Sequence, residues 1–303
     1  MTDTLTRRIA AFAARTKWPD IPGPVRHEAK RSLLNYFATA IAGSREPAMD
    51  KSLAVLGPFA GAAACTVIGR PERVDMPLAA YLNAMSANIF EFDDTHQETV
   101  IHPTAPIAPA LFAFAETRPC PGTSLLTAFV LGGEIECRMG NAMSPSHYAR
   151  GWHITSTCGI FGAAIGIGGL IGLSEEAHIW SIGHAAAQAA GLVETLGTMS
   201  KSISVGNAAR NGMLSALLAG EGISGPLDPL AGERGFLRLY SDGPALERLT
   251  DGLGETWEIA KNTYKPYPAA IVLHPVIEGC IRLHGEAGLR AEDVGEVELT
   301  GHP

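Results

Sequence analysis

Residues 157–173 read TCGIFGAAIGIGGLIGL, and this stretch decides the fold. It is the most apolar run in the chain, but it is too short and too rich in glycine for a typical membrane-spanning helix. Its small residues favour close packing against neighbouring helices. The run therefore predicts a buried helix over about residues 154–172, and no membrane partner is expected.

Helical patterns dominate on both sides of this run. Pro24 near one predicted start and Gly43 past its end follow the usual helix asymmetry. Ser174 is suited to cap the helix after the apolar run, with Glu175 and Glu176 in its first turn. The predicted helices cover residues 3–16, 24–42, 46–57, 76–92, 103–115, 124–143, 154–172, 175–190 and 208–222.

Strand patterns are scarce until the last part of the chain. Residues 66–69 predict one short extended piece, and residues 257–268 read as strand and loop. Residues 270–288 then predict a helix, and VGEVELTGHP at 294–303 alternates like a strand. A lone terminal strand suggests the start of a sheet whose remainder is absent, so we expect a mainly α protein with an incomplete C-terminal part.

Composition excludes several classes of protein. With 303 residues and 46% apolar content the chain can bury a large core, so global disorder is excluded. A net charge of −8 without a basic stripe argues against nucleic acid as a partner. The five cysteines form no CxxC pair, which is typical of a reduced compartment and not of an iron–sulfur protein. The N-terminal stretch is not expected to be a signal peptide, because its apolar part is short and broken by charge, and we expect a cytoplasmic protein.

Residues 91–96 read EFDDTH, and His102 follows within IHPTAP. A histidine with polar neighbours could perform acid/base catalysis. Carboxylates and imidazoles are also metal ligands, and a structural alternative is a capped loop between helices. A metal-dependent hydrolase would draw its ligands from Glu91, Asp93, Asp94 and His96.

Two segments follow in the middle of the chain. His153 lies in GWHITS just before the apolar helix, and Arg150 close by could bind a carboxylate. Lys201 stands in a small-residue loop that leads to a helix capped by Asn207, and a lysine at a helix N-terminus makes a good anion site. Each residue could instead be structural or simply solvated.

The last segment, KNTYKPYP at 261–268, contains Lys265 and Tyr267 at the change from helical to strand character. Domain boundaries often form clefts, although a polar hinge is equally typical. The four segments together provide histidines for proton transfer and lysines that can stabilise an enolate next to a carboxylate. They predict a metal-free elimination site or, through the same intermediate, a decarboxylation site.

The four segments resemble the MmgE/PrpD family in order and spacing. The resemblance is carried by EFDDTH with HPTAP, by GWHITS, by MSKSISVGNAARNG and by KPYP, and it covers nearly the whole chain. It implies a large all-helical domain, here residues 1–264, and a smaller α+β lid domain, here beginning at residues 265–303. It also implies a homodimer without metal or organic cofactor that acts on a small polycarboxylate.

The resemblance assigns roles residue by residue. His102, His153, Lys201 and Lys265 are expected to be catalytic. Glu91 and Thr95 match substrate-side positions of the family. Asp93, Arg150 and Tyr267 are added from the reading of their own segments, which gives five expected substrate-binding residues. The implied activity is elimination of water from a hydroxy-di- or tricarboxylate similar to 2-methylcitrate.

Three departures from the family pattern keep other functions open. Glu91 replaces a frequent aspartate, and one extra residue precedes His102. Ala270 stands where the decarboxylase pattern has a histidine, and His274 lies one helical turn later. Decarboxylation, epimerisation, the metal-dependent hydrolase and a non-catalytic binding module therefore stay as alternatives.

Overall fold

The fold is known from a computed structural model that describes residues 3–301. Within this range it is mainly α, as predicted, and it has twelve α-helices and four two-residue strands. The helices α1–α12 are Leu5–Arg15, Gly23–Gly43, Pro47–Leu56, Met76–Asn88, Thr104–Thr117, Gly122–Met143, Ser146–Ala149, Ile154–Ile171, Glu175–Ala186, Ser200–Gly220, Phe236–Tyr240 and His274–Ala287. The strands β1–β4 are Cys65–Thr66, Arg73–Val74, Thr95–His96 and Asn262–Thr263.

Helix α8 contains the apolar run and forms the middle of the core. Between residues 3 and 301 it is the one helix long and apolar enough to cross a membrane, and 83% of it is buried inside the protein. It packs against α5, α6, α9 and α10. The predicted buried helix is confirmed, and its apolar character is explained by burial on nearly every side.

Small residues let the core helices approach closely, as the sequence predicts. A Cβ atom at Gly132 on α6 would lie 2.5 Å from the Gly162 carbonyl oxygen on α8. A Cβ atom at Gly212 on α10 would lie 2.4 Å from the Ile160 carbonyl oxygen. Backbone contacts of this kind exclude any larger side chain, so glycine is required at both positions for this packing.

Helix α10 begins earlier than the sequence pattern predicts. It begins at Ser200, so Asn207 lies inside the helix and does not cap it. The buried face explains the difference, because Lys201, Val205 and Ala209 follow one another at four-residue spacing and are all buried. Packing of this face outweighs the weak helix propensity of the serine-rich start.

The C-terminal part agrees with the prediction in the short strand β4, within the predicted strand and loop over 257–268, and in its helix. Helix α12 forms, but residues 294–301 are not paired with any other segment within the described chain, so the predicted strand is wrong there. Alternation provides an apolar face, but a strand also needs a partner for its backbone hydrogen bonds. The last two residues of that predicted strand, 302–303, lie outside the described residues. The division into domains between residues 264 and 265 stays a prediction.

Candidate active site

A short β-ladder brings the first and last predicted segments together. Helix α4 ends at Asn88, earlier than predicted, and the chain then runs through the EFDDTH segment into β3. Strand β3 pairs antiparallel with β4, with Thr95 opposite Thr263. The Thr263 hydroxyl donates to the Thr95 carbonyl at 2.8 Å. Lys265, two residues further on, is thereby held beside the EFDDTH segment.

The core helices supply the other candidate residues. His153 directly precedes α8, and Lys201 lies in the first turn of α10, which packs on both α8 and α4. His102 precedes α5, and its backbone N–H donates to Thr155 Oγ1 on α8 at 3.1 Å. These contacts gather a group that we call the histidine–lysine cluster: His102, His153, Lys201, Lys265, Glu91 and Asp93.

His102 is oriented by three groups around its Nδ1 atom. The Asp94 carbonyl oxygen lies at 2.9 Å, Thr95 Oγ1 at 3.2 Å and Asp93 Oδ1 at 3.6 Å. A carbonyl can only accept, so Nδ1 carries the proton in the neutral ring and Nε2 keeps a free lone pair. Burial lowers the pKa of His102, Asp93 opposes this change, and Lys265 and Lys201 add to it.

His153 is held by two serine hydroxyls. Its Nδ1 atom lies 3.2 Å from Ser204 Oγ and 3.3 Å from Ser156 Oγ. Ser204 donates to the Lys201 carbonyl and Ser156 to the His153 carbonyl, so both oxygens can accept from Nδ1–H. Burial, reinforced by Lys201 and His102, lowers the pKa of His153 to about 3. The ring is therefore neutral near pH 7.

The two lysines are buried and point at the EFDDTH segment. Lys201 Nζ donates to the Glu91 carboxylate and, at 3.4 Å, to the Asn88 carbonyl. Lys265 Nζ donates to the Glu91 carbonyl at 2.7 Å and lies 4.0 Å from Asp93 Oδ1. Burial lowers the pKa of Lys265, and the carboxylates of Asp93 and Glu91 oppose this change. Two ammonium groups in one buried place suit the binding of carboxylates.

Two neighbouring aspartates have opposite electrostatic environments. Burial alone would raise the pKa of Asp93, but His102, Lys265 and Lys201 lower it overall, so Asp93 stays ionised. Burial raises the pKa of Asp94 to about 7, although bonds from Thr104 and Asn262 oppose the rise. Asp93 is therefore the fixed negative charge beside His102.

Glu91 occupies an unusual backbone position. Its φ angle is 56°, in the left-handed region that a non-glycine residue enters at a cost of about 1 kcal/mol. The backbone is held there because Lys265 bonds the Glu91 carbonyl. Such a conformation is typical of functional sites and persists only when the surroundings enforce it.

Two predicted substrate-binding residues, Arg150 and Tyr267, form their side-chain contacts with residues outside the cluster. Arg150 forms an exposed ion pair with Asp242 at 3.2 Å. The Tyr267 hydroxyl donates to Glu278 on α12. The sequence placed both by proximity to His153 and Lys265, but nearby surface carboxylates bind them instead. Their assignment to the substrate is not supported by this geometry.

The C-terminal departures from the family pattern are also visible. Ala270 precedes a 3₁₀ turn over Ile271–Leu273, and His274 starts α12. The His274 Nε2–H group donates to the Ala269 carbonyl at 3.1 Å. His274 is therefore engaged within its own segment and does not replace the histidine missing at position 270.

The proposed hydrolase ligands do not converge. His96 points away from the cluster, with Nε2 3.2 Å from Glu258 Oε2. The group of described residues that could hold a metal consists instead of His96, Glu98 and Glu258. Lys261 already forms an ion pair with both of its carboxylates, at 3.1 Å from Glu98 and 2.9 Å from Glu258. The metal-dependent alternative therefore lacks the ligand geometry that the sequence predicted.

Several supporting residues were missed from sequence. Asn88 Nδ2 donates to Asp93 Oδ2 at 2.7 Å, and Asn262 Nδ2 donates to Asp94. Ser156, Ser204 and Thr155 hold the two histidines. One available signal was a polar residue within a buried helix, since Asn88 ends α4 fully buried. Small hydroxyl residues gave no comparable signal.

The described chain is mainly helical, and it gathers two histidines and two lysines around the buried carboxylate of Asp93. Residues 7–249 match the MmgE/PrpD N-terminal domain. The chain therefore belongs to the MmgE/PrpD family, and the resemblance predicted from the motifs is confirmed.

Similar proteins are named as decarboxylases. The cis-aconitate decarboxylase of Aspergillus terreus is 31% identical over 93% of this chain and 60% of its own length. The cis-aconitate decarboxylase-like protein oryM of Aspergillus oryzae is 31% identical over 93% and 60%. The cis-aconitate decarboxylase of Homo sapiens is 27% identical over 94% and 61%. The chain thus spans about 60% of the length of these relatives.

Proposed function

We propose that this protein is a lyase acting on small di- or tricarboxylates, and that its first activity is elimination of water from a hydroxy acid similar to 2-methylcitrate. One observation carries the proposal: two neutral histidines and two lysines share one buried cluster. Lysines bind and polarise the substrate carboxylates. A proton on the carbon beside a carboxylate then becomes acidic enough for a histidine to remove.

His102 is the proposed base, because its Nε2 lone pair is free and its Nδ1–H is fixed by the Asp94 carbonyl. Asp93 stabilises the imidazolium that forms, since its ionised carboxylate lies 3.6 Å from Nδ1. Lys201 and Lys265 stabilise the enolate charge. The His102 imidazolium then returns the proton to the departing hydroxide, which leaves as water as the double bond forms.

Decarboxylation is the second candidate, and the names of the relatives favour it. In that reaction the carbon–carbon bond breaks first, carbon dioxide leaves, and a protonated group must deliver a proton to the resulting carbanion. Because the pKa values of His102 and His153 are lowered, neither imidazole holds an extra proton to deliver near pH 7. The absence of a histidine at position 270 also fits this candidate less well.

One assay distinguishes the two candidates. The 303-residue chain is incubated, in the presence and in the absence of a metal chelator, with a panel of hydroxy-di- and tricarboxylates and of their unsaturated counterparts. Absorbance reports formation of an α,β-unsaturated acid, and a parallel measurement reports released carbon dioxide. Absorbance without carbon dioxide supports dehydration, and carbon dioxide from an unsaturated tricarboxylate supports decarboxylation. Silence in both readouts, or activity lost with the chelator, contradicts the proposal.

A further inference from the structure

The Lys201 ammonium group already has a carboxylate partner. Lys201 is 4% exposed, and the Glu91 side chain is the one carboxylate within ion-pair distance of it in the part of the chain that the structure describes. The proposed function requires this same ammonium to bind a carboxylate of the substrate. A substrate therefore meets a lysine that is not free.

Glu91 lies at the border between the buried cluster and an outer cavity. The cavity has a volume of about 230 Å3, and its walls include Glu46, Thr198 and Ser202 together with Glu91 and Lys201. The Glu91 side chain is 30% exposed, whereas that of Lys201 is 5% exposed. A ligand that reaches Lys201 through this cavity has to pass the Glu91 carboxylate.

The backbone and the side chain of Glu91 are held by different lysines. Lys265 Nζ donates to the Glu91 carbonyl at 2.7 Å and fixes the backbone. Of the atoms of Glu91, Lys201 contacts only the side-chain carboxylate. A rotation of the side chain can therefore release Lys201 without disturbing the contact with Lys265. The outer cavity offers space and solvent for the released carboxylate.

We propose that the Glu91 carboxylate is a built-in competitor for Lys201, which a substrate carboxylate displaces when it binds. The inference rests on the proposed function only in assuming that the ligand carries carboxylates. When Glu91 holds Lys201 for all but a small fraction of the time, the apparent affinity for any carboxylate that uses Lys201 falls to that fraction of its intrinsic value. Glutamate at this position thus limits binding to ligands whose other contacts compensate for the exchange.

The test measures binding without turnover. Isothermal titration calorimetry with tricarballylate, an unreactive tricarboxylate, is performed on the 303-residue chain and on Glu91→Gln at constant ionic strength. Glutamine keeps the size of the side chain but removes its charge, so the dissociation constant is expected to fall by at least about tenfold. In a Lys201→Met background the same Glu91→Gln change is expected to leave the dissociation constant within about twofold.

Glu46→Gln is the matched control, because it removes a charge from the same cavity without touching Lys201. Equal tightening by Glu46→Gln would show a general charge effect and overturn the exchange. Weaker binding in Glu91→Gln would show that Glu91 contacts the ligand favourably, which also overturns it, as does no binding in any variant. Binding as expected without turnover in the panel assay would contradict the proposed lyase and leave the exchange supported.

Discussion

The histidine–lysine cluster buries charge, whereas the segment over residues 270–301 exposes apolar side chains. Lys201, Lys265 and Asp93 are each less than 10% exposed. In the C-terminal segment no residue is buried, and Val272 is 77% exposed and Leu299 63%. Both regions depart from the usual partition of polar and apolar groups, but in opposite directions.

The difference shows that the cluster lowers the free energy of unfolding, whereas the C-terminal segment adds little to it. Burying an ion costs several kcal/mol unless partners compensate, and the cluster keeps two lysines buried with carboxylate and carbonyl partners. Helix α12 has an apolar face, but no described residue outside its own segment covers it fully. We therefore expect substitutions in the cluster to change chemistry, substitutions in the core to change stability, and substitutions in α12 to change little.

The largest effect is expected from His102→Gln and Lys201→Met. Each removes a group proposed to act on the substrate, so turnover of the substrate found by the panel assay should fall by about 10²- to 10⁴-fold. Urea unfolding should show that both variants remain folded. The exposed His27→Gln is the control and should keep its activity. Turnover within about threefold of the wild type in either cluster variant would refute the assigned roles.

A pair of identical substitutions tests the contrast between core and C-terminal segment. Gly212→Ala places a Cβ atom 2.4 Å from a backbone oxygen of α8, and should destabilise the protein by about 1–3 kcal/mol. Gly279→Ala in α12 meets no atom within 4 Å. It should change the free energy of global unfolding by less than about 0.5 kcal/mol, because alanine also favours a helix. If urea unfolding showed equal losses of stability in both variants, the contrast between the core and the C-terminal segment would be wrong.

Much of the fold could be predicted because it depends on local patterns. The apolar run of α8, the Ser174 N-cap of α9 and the small residues around Gly212 were sufficient to predict these helices and their close packing. The start of α10 was missed because it depends on tertiary burial of Lys201 and Val205, which a propensity argument does not include. Contacts at long range in sequence decide such boundaries.

The residue types of the candidate site could be predicted from the sequence, but the directions in which their side chains point could not. The β3–β4 ladder meets three helices, and this meeting brings together His102, His153, Lys201 and Lys265. Such contacts between distant segments cannot be read from the sequence. Arg150 was included for its charge, but the direction of a long side chain is set by its nearest counter-charge, here Asp242. The supporting serines and asparagines became visible only with the hydrogen bonds.

The pH dependence of unfolding tests whether a buried histidine outside the cluster destabilises the protein in acid. His178 on α9 is fully buried, and burial lowers its pKa to about 4. The unfolded chain therefore binds more protons between about pH 6.5 and 4, so stability falls as the pH falls through this window. His178→Leu should remove about 2 kcal/mol of the loss between pH 7 and 4.5, measured by urea unfolding. An unchanged pH dependence in His178→Leu would contradict this.

The smallest effect on stability is expected from deleting residues 270–303. None of the described residues in this stretch is buried, and its hydrogen bonds to what precedes it reach Tyr267 and Ala269 directly beside it. Lys265 remains, and its bond to the Glu91 carbonyl belongs to the cluster. The free energy of unfolding should therefore change by less than about 1 kcal/mol. A loss above about 2 kcal/mol would mean that the exposed apolar face supports the core after all, and that the two regions are one cooperative unit.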